Sequence, residues 1–124
     1  MNQKAIIISN INELVRLKPE QIVYISSEGN YSIFVLHDKS EHMFTMNLSH
    51  CQQLLVEQLG KEACTFVRMG KQLIVNIEYI FKINLNKQQL VMSDMTLPQA
   101  FTLSASREAL KKLKAFLETG KEGE

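Results

Sequence analysis

Strand-type stretches come in two runs, and a single helical stripe separates them. Before residue 47 the chain reads QKAIIISN, ELVRLKP, residues 22–26, residues 31–36 and HMFTMN, all short and rich in β-branched or apolar residues. After residue 60 the stretches TFVRM, QLIVN, EYIFKINL and QLVMS resume that composition. DMTLPQAFTLS then reads as a turn and an edge strand interrupted by Pro98, since proline cannot donate to a ladder. Strands that follow one another, rather than alternating with helices, exclude a βαβ sheet and specify a mainly β domain of antiparallel pairs. The expectation is eight to ten strands with one central and one C-terminal helix.

Turn chemistry supports the pairing. The EGN between residues 28 and 30 offers Gly29 and Asn30 for positive φ. HDKSE and NLNKQQ close two further hairpins, and Pro19 ends the second strand. In the central helix Leu48, Cys51, Leu55 and Leu59 share one face, Asn47 or Ser49 caps the start, and Gly60 stands just past the end. In the terminal helix Ala109, Leu110, Leu113, Phe116 and Leu117 form the apolar face, Ser104 or Ser106 is the cap, and Gly120 is the stop.

The length of 124 residues is that of one domain, and 45% hydrophobic with 22% charged residues is globular composition. No apolar run is long enough to cross a membrane, and the start lacks the regions of a signal peptide, so a cytoplasmic protein is expected. Cys51 and Cys64 lie outside any C-x-x-C pair and read as free, mostly buried thiols. His37, His42 and His50 lack metal-ligand spacing, and no phosphate loop or nucleophile elbow is present. Neither an enzyme, a cofactor, a metal nor a small-molecule substrate is expected.

Charge is uneven. Residues 1–60 carry 4 Lys/Arg and 6 Asp/Glu, a net of −2, whereas residues 61–124 carry 10 and 7, a net of +3. An anionic partner would therefore meet the second half. FVRMGKQLIVN, residues 66–76, is the notable stretch there: a plain strand needs no break, yet two cations and a glycine interrupt this one. A loop that presents Arg68 and Lys71 to a partner would need it.

Four stretches taken in series resemble the LytTR family of DNA-binding domains from bacterial response regulators. They are VYISSEGNYSIFVLHD, MNLSHCQQLL, FVRMGKQLIVNIEYIFKI and FTLSASREALKKLKAFL, in the family's order and spacing over about residues 4–118. The resemblance implies an elongated sandwich of small antiparallel β-sheets with the helices alongside. It implies a transcriptional regulator that inserts strand-connecting loops, rather than a recognition helix, into the major groove of double-stranded DNA. Family members often bind direct repeats, so a homodimer on DNA is expected. Residue by residue, EGNYS holds the place of the first DNA-facing loop, with Asn30 and Tyr31 as contacts. RMGKQ holds the second, with Arg68 and Lys71, and Arg107 at the head of the last helix is a third contact. The commoner form of the second loop has a histidine where Gly70 stands, a serine at Gln72 and an aromatic at Leu73, so Gly70 removes one side chain that could touch DNA. The domain is expected to span residues 1–118, with a disordered tail at 119–124. Such a domain normally follows a receiver or a membrane segment; here it fills the chain from Met1, either as a regulator acting alone or as a piece of a longer one.

The residue types agree with this chemistry. Arginine donates two hydrogen bonds to guanine O6 and N7, and lysine or asparagine reaches base edges or phosphates. A helix start capped by Ser106 offers free N–H groups to an anion beside Arg107. Each residue also has a structural alternative. Arg68 can cover the sheet with its stem or support its loop, Lys71 can be solvated, Arg107 can pair with an acid, and Tyr31 can be a half-buried strand residue. Asn76 reads as structural, and Lys111, Lys112 and Lys114 as a solvated helix face. A protein-interaction module on the same fold is the competing reading, favoured by the net charge of +1.

Overall fold

The computed structural model describes residues 5–93 and 100–120. They belong to two compact units, Met1–Asn76 and Ile77–Glu124.

The first unit is built on a five-stranded antiparallel sheet. Its strands are β3 (Ile22–Glu28), β4 (Tyr31–Leu36), β5 (Glu41–Phe44), β6 (Phe66–Met69) and β7 (Leu73–Asn76), in the order β5-β4-β3-β7-β6. The hairpin of β1 (Ile6–Ser9) and β2 (Leu14–Leu17) forms a separate two-stranded ladder. Directly paired residues share a sheet face, so Ile25, Phe34, Ile74, His42 and Arg68 point to one side. The helix α1 (Leu48–Leu59) supplies Leu48, Cys51, Leu55 and Leu59 to the same core, with Ile6 and Leu17 from the hairpin. Each leucine buried there contributes about 1.5–3 kcal/mol. Phe34 and Phe44 meet edge-to-face with ring centres 5.3 Å apart.

Among the described residues of this unit, the buried polar side chains Ser32 and Asn76 pin strand ends. Ser32 Oγ donates to the Met46 carbonyl at 2.7 Å, which ties the chain to β4 as it leaves β5. Asn76 Nδ2 donates to the Ile22 carbonyl at 2.9 Å, where the β3–β4 register shifts. Gln58 accepts from the Ile7 N–H at 2.7 Å and donates to the Ile7 carbonyl at 2.9 Å, fastening β1 to α1.

The second unit has three antiparallel strands in the order β10-β9-β8: β8 (Ile80–Asn84), β9 (Gln89–Met92) and β10 (Phe101–Ser104). Its helix α2 (Arg107–Thr119) packs on β8 and buries Leu110 and Leu113, in a unit whose strands bury Leu90 and Met92.

The antiparallel, mainly β architecture with two helices is the expected one. Of the alternative caps, Asn47 and Ser106 are those used: Asn47 accepts from the His50 N–H at 2.8 Å and Ser106 from the Ala109 N–H at 3.1 Å. Three details differ from the sequence reading. Gly29 takes positive φ (+65°) but Asn30 does not, because a single left-handed residue suffices for this turn. Cys51 is buried as expected, whereas Cys64 is exposed. The 3-10 segment Gly60–Thr65 turns Ala63 inward, which leaves its neighbour outside. Leu117 is also exposed, on the rim of the α2 face. Pro98 and the last four residues of the expected tail lie outside the described residues.

Candidate nucleic-acid interface

Strand order brings the two candidate loops of the first unit to one end of one sheet. Glu28 pairs with Tyr31, closing β3 and β4 around Gly29 and Asn30. On the other side of β3, Ser26 pairs with Leu73, and the Ser27 N–H donates to the Gln72 carbonyl at 2.9 Å. The 70–72 turn between β6 and β7 therefore lies beside the 29–30 turn. β5 ends there too, because Phe44 pairs with Ser32, and only three residues separate that strand from the start of α1. Asn30, Tyr31, Lys71 and Arg68 are thus neighbours by topology, although up to 41 positions separate them in the chain.

Their surroundings differ. Asn30 and Lys71 are exposed, and Tyr31 is 45% exposed at the first position of β4. None of these three side chains has a hydrogen-bond or ion-pair partner among the described residues, so their polar ends face solvent. Arg68 is half-buried and engaged. Its Nε donates to the Gly70 carbonyl at 2.8 Å, and its Nη1 to Gln52 Oε1 at 2.9 Å and, at 3.4 Å, to Ser49 Oγ. No carboxylate pairs with Arg68 or Lys71 among the described residues, and Glu28 is the one acid on the two turns and the strand residues beside them. The local field remains positive.

Gly70 has φ +64° with no atom within 4 Å of a would-be Cβ. A glycine here relieves backbone strain rather than a steric clash.

Arg107 belongs to the second unit, as the first residue of α2. It is exposed and has no ion-pair partner among the described residues, so the alternative of an arginine spent on an acid does not hold. The neighbouring first-turn acid, Glu108, lessens the positive charge of that helix end. Lys114 forms a 2.5 Å ion pair with Glu118 one helical turn on, as a solvated face would. Asn76, which reads as structural, is buried.

Burial raises the Cys51 thiol above its ordinary pKa, against the smaller lowering effects of Ser32 and Arg68. It is a core group, not a reactive one. The described residues hold no cluster of His, Cys, Asp or Glu able to bind a metal. None of their helices is long and apolar enough to cross a membrane.

What Arg68 holds was missed by sequence reasoning. Ser49 and Gln52 lie 19 and 16 residues away on the polar side of α1, and no local signal pairs them with it.

The class the fold defines is a β-rich domain whose antiparallel sheet gathers two turns at one end, one of them carrying Lys71. The LytTR family model, described as the LytTr DNA-binding domain, matches residues 12–118, and the chain belongs to that family. It is a family of DNA-binding domains rather than of enzymes. The fold is similar to that of a solved LytTr DNA-binding domain from Bacillus cereus, part of a protein described as a methyl-accepting/DNA response regulator. The TM-score is 0.63 at 12% identity, over 94% of this chain and 98% of that one. No curated protein matches the sequence.

Proposed function

We propose that this protein is a transcriptional regulator that binds double-stranded DNA by placing its strand-connecting loops in the major groove. The observation that carries this reading is the family match over residues 12–118. The juxtaposition of the 29–30 and 70–72 turns supplies the geometry. In this reading Asn30, Tyr31 and Lys71 meet DNA from the two turns. Arg107 meets it from the head of α2, and Arg68 serves the second loop. Lysine at the tip of a turn reaches phosphate or base edges, and a free arginine fork suits guanine. The bound form is two copies on a direct repeat, with residues 1–118 as the binding domain.

Titration of duplexes selected from a random pool, at two salt concentrations, tests this. Binding is expected to weaken as salt rises, because phosphate contacts release counterions. Arg107→Ala is expected to cost about 1–3 kcal/mol and to relax specificity at one base. Two protomers per repeat are expected by mass measurement. Absence of binding to every duplex would favour the second reading, a protein-interaction module on this fold, to which the net charge of only +1 lends support.

A further inference from the structure

We infer that Arg68 is a positioning residue: clamped between Gln52 and the Gly70 carbonyl, it holds the 70–72 turn against α1 and so presents Lys71, rather than reading DNA itself. This inference rests on the DNA-binding reading above and specifies how the second loop works.

Register is the first reason. Arg68 pairs with Ile74, which pairs with Ile25, so its side chain leaves the sheet on the face that α1 covers. The guanidinium cannot extend off the sheet end without leaving that face. Engagement of two of its three nitrogens is the second. Nε and Nη1 are taken up by three acceptors, one on the turn and two on α1. One planar fork therefore links two elements, which a lysine ammonium could not do with the same geometry. The third is the turn itself. Gly70 supplies a permissive backbone at φ +64°, and a permissive turn presents a lysine reproducibly only if something outside it restricts it. Lys71 has no partner of its own among the described residues, and Arg68 is what ties its neighbour's carbonyl down. Nη2 has no partner among the described residues, so a phosphate contact through it is the competing role.

Gln52 is exposed, which makes it the place to cut the clamp without disturbing the core. Gln52→Leu, Gln52→Glu, Arg68→Ala and the Gln52→Leu/Arg68→Ala double variant are compared on one selected duplex. Removing a hydrogen bond to a charged group should weaken binding about tenfold for Gln52→Leu. Arg68→Ala should weaken it at least as much, and the double variant no more than Arg68→Ala alone. Gln52→Glu, which keeps the acceptor but adds a negative charge, should lose less affinity than Gln52→Leu. The slope of affinity against salt should stay unchanged in Gln52→Leu, Arg68→Ala and the double variant. A Gln52→Leu protein that binds like the parent while Arg68→Ala fails would overturn the inference. So would a salt slope reduced by about one phosphate contact in Arg68→Ala.

A second measurement needs no DNA. In the free protein, 15N order parameters of residues 70–72 should fall in Gln52→Leu and stay at parent values in Gln52→Glu. If the parent bound no duplex, the DNA-binding reading would fail, and these order parameters alone would still decide the clamp: unchanged values in Gln52→Leu would refute it.

Discussion

The 29–30 and 70–72 turns sit side by side and share a device, a glycine at φ +65° in one and +64° in the other. They are held in opposite ways. Around the second, Arg68 reaches from β6 to the turn carbonyl and to two side chains of α1. Around the first, no side chain of residues 28–31 bonds to another element among the described residues; its position comes from the ladder alone. A turn fixed by strand pairing keeps its backbone in place but leaves its side chains to solvent. A turn also fixed from outside loses less entropy when it meets a partner. The two loops thus divide the labour: the first adapts and the second is set in advance.

The largest expected effect erases the comparison. Phe34→Ala removes the buried ring that packs on Phe44 in the core of the sheet carrying both turns and should cost about 3–5 kcal/mol, read from the urea midpoint, with both turns loosened together. Should only one turn loosen, the two would not share a foundation. Next come the glycines. Gly29→Ala and Gly70→Ala each force a Cβ into left-handed backbone and should each cost about 1–2 kcal/mol of stability. Equal costs would confirm that the turns differ in their tethers rather than in their backbones. Asn47→Ala removes the N-cap of the helix that carries Ser49 and Gln52 and should cost about 1 kcal/mol. It should raise mobility at residues 70–72 and leave residues 29–30 as they were; relaxation measurements that found both altered would speak against the clamp.

The smallest effect concerns the thiols. In the native protein Cys64 should take up iodoacetamide, and Cys51, buried in the core, only after unfolding. The Cys51 thiol is raised in the fold by burial, so above the ordinary thiol pKa the unfolded chain sheds its proton first and stability falls as pH rises. That slope should be shallower in Cys51→Ala. A slope unaltered by the substitution would mean that the thiol does not titrate differently in the two states.

Much of the fold was legible because its signals are local. The stripe Leu48, Cys51, Leu55 and Leu59 is buried as its spacing demands, since helical period and burial are set within a few turns. Tyr31–Leu36 is a strand with the expected bounds, because turn residues flank it on both sides. EYIFKINL was less legible: Ile77–Tyr79 is a 3-10 turn and the strand starts only at Ile80. Its apolar run gives no internal mark for that boundary. In the candidate site, the exposure of Asn30, Lys71 and Arg107 agrees with their residue types. The engagement of Arg68 does not follow from its type, because an arginine between two apolar residues fits a solvated stem equally well.

Composition and periodicity by themselves settled that this chain makes short antiparallel strands, two capped helices and glycine-bearing turns. Each of those depends on residues within one or two turns of the chain. Only the tertiary structure decided that β7 lies against β3, which sets residue 72 beside residue 27 and gathers both loops at one end. It alone decided that Arg68 finds Gln52 and that Cys64 stays outside. Strand neighbours and side-chain partners are chosen by which distant surfaces bury together, and no local pattern records that choice.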